Sequence, residues 1–143
     1  MQFEISTDID AALGDVWMVL TDIERWPQWT TSMTSVERLD EGPFAVGSTA
    51  RVRQPRLPAA VWEVVDLEPR VSFSWAAKMP GMTTTAEHRL TSRPGGGVGV
   101  TLSIHQTGAL SPFVALFTSR ITRRYVQMEA EGLKRQCENL SER

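Results

Sequence analysis

The chain has a single cysteine, Cys137, so no internal disulfide can brace it. Long apolar runs are missing too. The longest, Phe113 to Phe117 (FVALF), falls far short of the roughly 20 residues a helix needs to cross a bilayer, so stable membrane insertion is not expected. Lys78 and Lys134 are the only lysines among 15 basic residues, the net charge is -2, and no basic run forms a stripe able to neutralise phosphates. Nucleic acid is therefore not an expected partner. The opening MQFEISTD carries neither the basic segment nor the apolar run of a signal peptide; a cytoplasmic location is expected, leaving the Asn139-Leu140-Ser141 sequon idle.

Several chemistries are excluded as well. His88 and His105 are the only histidines, and neither an HExxH pattern nor paired cysteines accompanies them, so no metal site is expected. The segment Arg93 to Val100 (RPGGGVGV) lacks the spacing and the following helix of a phosphate loop. No serine sits in a nucleophile elbow, and Cys137 has no evident base, so neither a covalent mechanism nor a cofactor is expected.

What is present reads as one domain, 1–143, long enough for a core but too short for separate catalytic and cofactor domains. Phe3 and Ile5 alternate with Gln2, Glu4 and Ser6, a half-buried strand ending near Thr7. Asp8 or Asp10 is expected to cap a helix bearing Leu13, Val16, Trp17, Leu20 and Ile23 at helical spacing, closed by Pro27. A short second helix or turn is expected around Trp29 to Met33, with Trp26 and Trp29 forming a rigid apolar corner about the proline. Turn signals (DEGPF, QPRLP, LEPR, MPGM, RPGGG) then separate six β-rich segments: 35–40, 48–54, 60–67, 71–78, 83–91 and 98–107. Ser111 as N-cap and Pro112 at the first helical position begin a long C-terminal helix, against which only Gly132 argues. The fold class is α+β: a curved seven-stranded antiparallel sheet gripping the C-terminal helix, with two short helices after strand one. A straight rod cannot fill the concavity of a coiled sheet, so a cavity should remain.

This element order, together with Val16-Trp17, Val19-Leu20 and the run Asp22 to Trp29, resembles the START-like superfamily of helix-grip proteins, which includes polyketide cyclases and dehydrases and many small lipid-binding proteins. Val46 to Ser48 (VGS), Trp62 to Val64 (WEV) and Gly132 to Lys134 (GLK) extend the likeness. The resemblance covers essentially the whole chain and implies a tryptophan corner closing one end of a ligand cavity. It speaks to fold more than to activity, because the superfamily hosts binding proteins and enzymes alike.

Helical projection sets Arg120, Arg123, Arg124, Gln127, Glu131, Lys134, Arg135 and Glu138 outward on the last helix, and Thr118, Thr122, Tyr125, Val126, Glu129, Leu133, Gln136 and Leu140 inward. Glu129 is the anomaly, since an unpaired buried carboxylate is costly. It is either a structural group held by an arginine or a backbone donor, or the polar contact or acid/base group of a site. Period-two alternation puts Phe73, Trp75, Thr84, Ala86, His88, Leu102 and Gln106 on the inner faces of their strands and His105 outside; Trp62 stays unassigned because a bulge would reverse it. His88 is read either as a satisfied lining residue or as a site residue, and Gln54 and Gln106 as polar lining.

The expected binding set is Phe73, Trp75, His88, Leu102, Gln106, Phe117, Tyr125 and Glu129, with His88, Tyr125 and Glu129 as candidates for proton transfer. Leu57, Met79, Met82 and Phe113 at turn tips suggest a portal; ordinary loop packing or a homodimer contact is the other reading. The function expected first is binding of a small hydrophobic or aromatic molecule, lipid or polyketide-like. The rivals are a cofactor-independent cyclase or dehydrase, and an interaction module without a ligand.

Overall fold

The computed structural model describes residues 1–141, the side chain of Ser141 excepted; the last two positions of the expected domain lie outside the described residues. Seven strands form one sheet: β1 Gln2–Ile9, β2 Ser35–Arg38, β3 Thr49–Arg53, β4 Ala60–Glu68, β5 Ser72–Met79, β6 Met82–Ser92 and β7 Val98–Thr107. Their order is β1-β7-β6-β5-β4-β3-β2, with every neighbouring pair antiparallel. Sequential hairpins thus run from β2 to β7, and β1 closes on β7. Two helices accompany the sheet: α1 (Leu13–Thr21), which with a 3-10 segment at Ile23–Gln28 links β1 to β2, and the 31-residue α2 (Ser111–Ser141).

The inner face follows from side-chain alternation. Phe73, Trp75 and Ala77 on β5, Met82 to Leu90 at every second position on β6, and Val98 to Gln106 likewise on β7 are all buried. β4 departs from strict alternation through a bulge between Val64 and Asp66. The additional residue, Val65, is half exposed, and the shift keeps Val64 and then Leu67 turned inward, Leu67 opposite Phe73. Trp62, two residues before Val64, consequently faces in.

The link between β1 and β2 differs from the sequence expectation. α1 begins at Leu13 with Ala12, not Asp8 or Asp10, at its N-cap; the Asp8 carboxylate turns to Arg93, 3.4 Å away, and the Asp10 N–H donates to Glu138 Oε2. The helix stops at Thr21, before Ile23, because Asp22 leaves helical backbone angles (φ -85°, ψ 68°). The second helical segment is therefore Ile23–Gln28, with Pro27 inside it, and Trp29 to Met33 is irregular or turn. The indole Nε1–H of Trp26 donates to the Leu20 carbonyl at 3.0 Å, satisfying one of the acceptors that the end of α1 leaves open. At the head of α2, the Ser111 hydroxyl donates back to the Gly108 carbonyl at 2.9 Å.

α2 lies against β1 and β7 and meets the tryptophan corner at Gly132. A Cβ there would stand 2.1 Å from the Trp29 carbonyl oxygen, closer than any side chain tolerates. Arg135 donates to the same carbonyl at 3.4 Å. Gly to Ala inside a helix ordinarily stabilises by about 1 kcal/mol. Here the clash with main chain reverses the sign, and Gly132→Ala should lose at least about 2 kcal/mol, as overpacked sites do. Urea denaturation checks this; a stabilised variant would refute the close approach.

Candidate functional site

A cavity of about 210 Å³ lies between the inner face of the sheet and α2. Its deep end is closed by Trp26, His88 and Glu129; its walls include Trp62, Trp75 and Tyr125; at the other end it reaches Leu57, Met79 and Val114. The deep end owes its shape to the corner. Trp26 packs against Trp29 (5.9 Å between ring centroids), Phe73 (6.4 Å), Trp75 (5.3 Å) and His88 (5.6 Å), which fixes the rings as one aromatic cluster.

His88 stacks on Phe73 at 4.1 Å with 14° between planes, and its Nδ1 lies 3.2 Å from the Phe73 carbonyl oxygen. A carbonyl only accepts, so Nδ1 carries the proton, and Nε2 points toward Glu129 Oε1, 3.4 Å away. With Nδ1 committed, Nε2 is the ring atom left to meet Glu129, a glutamate only 8% exposed. The contact is longer than the about 2.7–2.9 Å of a well-made charge-assisted bond. Among the described residues Glu129 Oε1 has no hydrogen-bond partner, and the same holds for the side-chain oxygen of Gln106, 7% exposed on the cavity wall. Gln106 stands opposite Thr84, which also lines the cavity, while His88 stands opposite Leu102. His88 lies four positions after Thr84 on β6, about 13 Å along the strand. The chamber thus offers two polar stations, one deep and one nearer the mouth.

Of the residues expected from sequence, Trp75, His88, Gln106, Tyr125 and Glu129 are brought together on the cavity wall. Phe73 and Leu102 have the expected facing but lie in the core outside the lining; Phe73 supports His88 from behind. Phe117 is a correction: its helical angle turns it away from Thr118 and Tyr125, and its ring is 83% exposed. Phe113 likewise points outward, 67% exposed, whereas Leu57, Met79 and Met82 line the cavity. Glu129 meets His88, and among the described residues no arginine clamps it. Tyr125 donates its phenolic proton to the Pro55 carbonyl, tying α2 to the β3–β4 turn, so the proton is not free for a guest. Trp26 closes the deep end, where the resemblance put the tryptophan corner, while Trp62 and Val114 were missed as lining, Trp62 because the bulge hid its face.

Fold and chamber together define a helix-grip protein with an internal cavity between sheet and C-terminal helix. The family described as polyketide cyclase / dehydrase and lipid transport matches residues 1–138, and the chain belongs to it. No curated protein matches in sequence. Among solved structures, a START superfamily protein from Mycobacterium smegmatis is 12% identical with a TM-score of 0.76, over 97% of this chain and 98% of that one. The Zhui aromatase/cyclase from Streptomyces is 18% identical with a TM-score of 0.73, over 96% and 93%. A Thermus thermophilus protein is 11% identical with a TM-score of 0.79, over 99% of each. At these identities the likeness is one of fold. None of the described helices is long and apolar enough to cross a membrane.

Two tests follow from this geometry. Removing the Tyr125 hydroxyl should cost about 1 kcal/mol, the worth of one hydrogen bond, and speed exchange of a bound fluorescent probe by freeing the turn at Pro55. Unchanged exchange in Tyr125→Phe would mean that this bond does not hold the mouth. Cys137, in turn, is fully buried. Burial, and secondarily the carboxylates of Asp15 and Glu138, pushes its thiol from 9.0 up to about 12. Its reaction with a disulfide reagent at pH 9, where an ordinary thiol is half ionised, should remain limited by unfolding; a fast reaction there would contradict the burial.

Proposed function

We propose that the whole chain acts as one binding domain for a small, largely apolar or aromatic molecule that carries at least one polar group, held in the cavity between sheet and α2. The observation that carries this reading is the chamber itself, about 210 Å³ that the surrounding side chains leave open. Leu in place of Ala77 or Ala86, both on its wall, would occupy part of it. A chain selected for stability alone would fill such a space.

The size and lining narrow the guest. A dry apolar cavity of about 150 Å³ takes benzene, so 210 Å³ suits a one- or two-ring molecule or a short acyl chain. Trp62 and Trp75 supply flat apolar walls, their rings 5.6 Å apart and 37° from parallel. Glu129 Oε1 and the Gln106 side chain supply unmatched polar atoms, which a guest hydroxyl or amine would satisfy.

A second reading, a cofactor-independent cyclase or dehydrase, is favoured by the His88–Glu129 pair at the closed end. There a carboxylate oxygen takes a proton from an activated carbon of a bound polyketone and His88 Nε2 shares it, while the aromatic walls hold the chain folded. Tyr125 is a weaker candidate because of its bond to Pro55.

Native mass spectrometry of the purified protein separates the readings. A co-purified small apolar ligand supports binding, and turnover of a polyketone by the wild type that is lost in Glu129→Gln supports the enzyme. Glu129→Gln should keep the fold, because the amide can still meet His88 Nε2 as a donor, and should change affinity for a hydroxylated aromatic such as naphthol by about tenfold, the worth of a hydrogen bond to a charged group. A variant that melts early with intact naphthol affinity would assign Glu129 a structural role.

A further inference from the structure

The outward side of the first three turns of α2 is unlike the rest of the surface. Phe113, Leu116 and Phe117 are 67%, 78% and 83% exposed, and helical spacing puts them on the same face as Arg120 and Arg124 in the next two turns. Exposed large apolar groups concentrated on one turn-and-a-half mark a contact surface rather than scattered surface carbon. The charge around them is one-sided. No acidic residue occurs between Glu87 and Glu129, and among the described residues Arg120, Arg123 and Arg124 have no carboxylate partner; Arg123 instead covers the Phe3 ring at 5.4 Å. In a chain with net charge -2, this face is a positive island.

Its position matters as much. Val114 and Thr118, in the same turns, line the cavity, as does half-exposed Met79, so the patch lies on the turns of α2 that wall the outer end of the chamber. We propose that this face docks the protein on an anionic lipid surface. Phe113, Leu116 and Phe117 enter the boundary between headgroups and acyl chains, Arg120 and Arg124 pair with lipid phosphates, and the cavity mouth is set against the lipid.

Charge complementarity selects this occupant over a second copy of the chain. A two-fold contact would enclose the arginines of both copies in one interface, and the patch holds no carboxylate to answer them. It also suits lipid better than a folded acidic partner. Three side chains projecting from a convex helix need matching pockets on a protein, whereas an interface yields to them without any. Docking gives an apolar guest a path that avoids water, and in that respect alone the inference leans on the proposed binding function.

Co-sedimentation tests it with the full chain and two vesicle types, phosphatidylcholine alone and phosphatidylcholine mixed with phosphatidylglycerol. The wild type should partition onto the anionic vesicles only, and less so as salt is added. Arg120→Gln and Arg124→Gln should each lower that partitioning about fivefold, the worth of one cation near an anionic surface. Phe113→Ser with Phe117→Ser should abolish it. Naphthol binding in solution, measured on the two arginine variants, should stay at the wild-type value, so loss of docking and loss of guest binding are separable. Absence of partitioning, equal partitioning onto both vesicle types, or a concentration-dependent dimer dissolved by Phe117→Ser would overturn the proposal, the last by making this face a contact between copies.

Discussion

Everything at the closed end of the molecule depends on where Trp26 is held. Its indole N–H is fixed to the end of α1, its ring is fully buried, and four aromatic partners, including His88, pack around it. Main chain three residues further on is pressed against α2, where only Gly132 leaves room for the Trp29 carbonyl. The corner therefore joins α1, the sheet and the C-terminal helix at one point. Removing a buried ring of this kind ordinarily costs about 3–5 kcal/mol, a large share of the stability of a domain this size. The same packing also makes the floor of the cavity, so the element that stabilises the fold limits the depth of the site.

Above that floor, electrostatics and packing serve different ends. The aromatic walls are shape without polarity. The His88–Glu129 pair sets polarity into those walls, and its long 3.4 Å separation leaves a carboxylate oxygen unmatched. Tighter pairing would satisfy Glu129 and would also close it to any guest. The protein thus retains an unfilled volume and unsatisfied polar atoms in one place, two costs that stability alone does not explain and that a guest with an apolar body and a polar group would offset together.

Much of the architecture was legible because its rules are local. Period two ties each residue of β5, β6 and β7 to one face, so Trp75, His88 and Gln106 could be placed inward from sequence; the 3.6-residue period did the same for Tyr125 and Glu129. What stayed illegible depends on distance along an element or on interruptions to it. Phe73 and Leu102 share the inner face with the lining residues yet lie behind the cavity, since alternation gives the face and not the depth. Trp62 was concealed by the bulge at Val64, and the limits of the short helical segments turned on the backbone of Asp22 rather than on Pro27. Phe113 and Phe117 were drawn toward the cavity by their apolar character, although the helical period sets them beside arginines. The partner of Glu129 could not be foreseen, because it comes from a strand 41 positions earlier in the chain.

A chamber kept open for a guest loses that guest when a side chain fills it. Ala86 lies on the inner face of β6 and on the cavity wall, 8% exposed. Thermal unfolding and naphthol titration of Ala86→Leu should show stability equal to or above the wild type, because the added side chain occupies empty volume, together with loss of naphthol binding. Unimpaired binding in a stable Ala86→Leu variant would contradict the account, since the guest would then reside elsewhere.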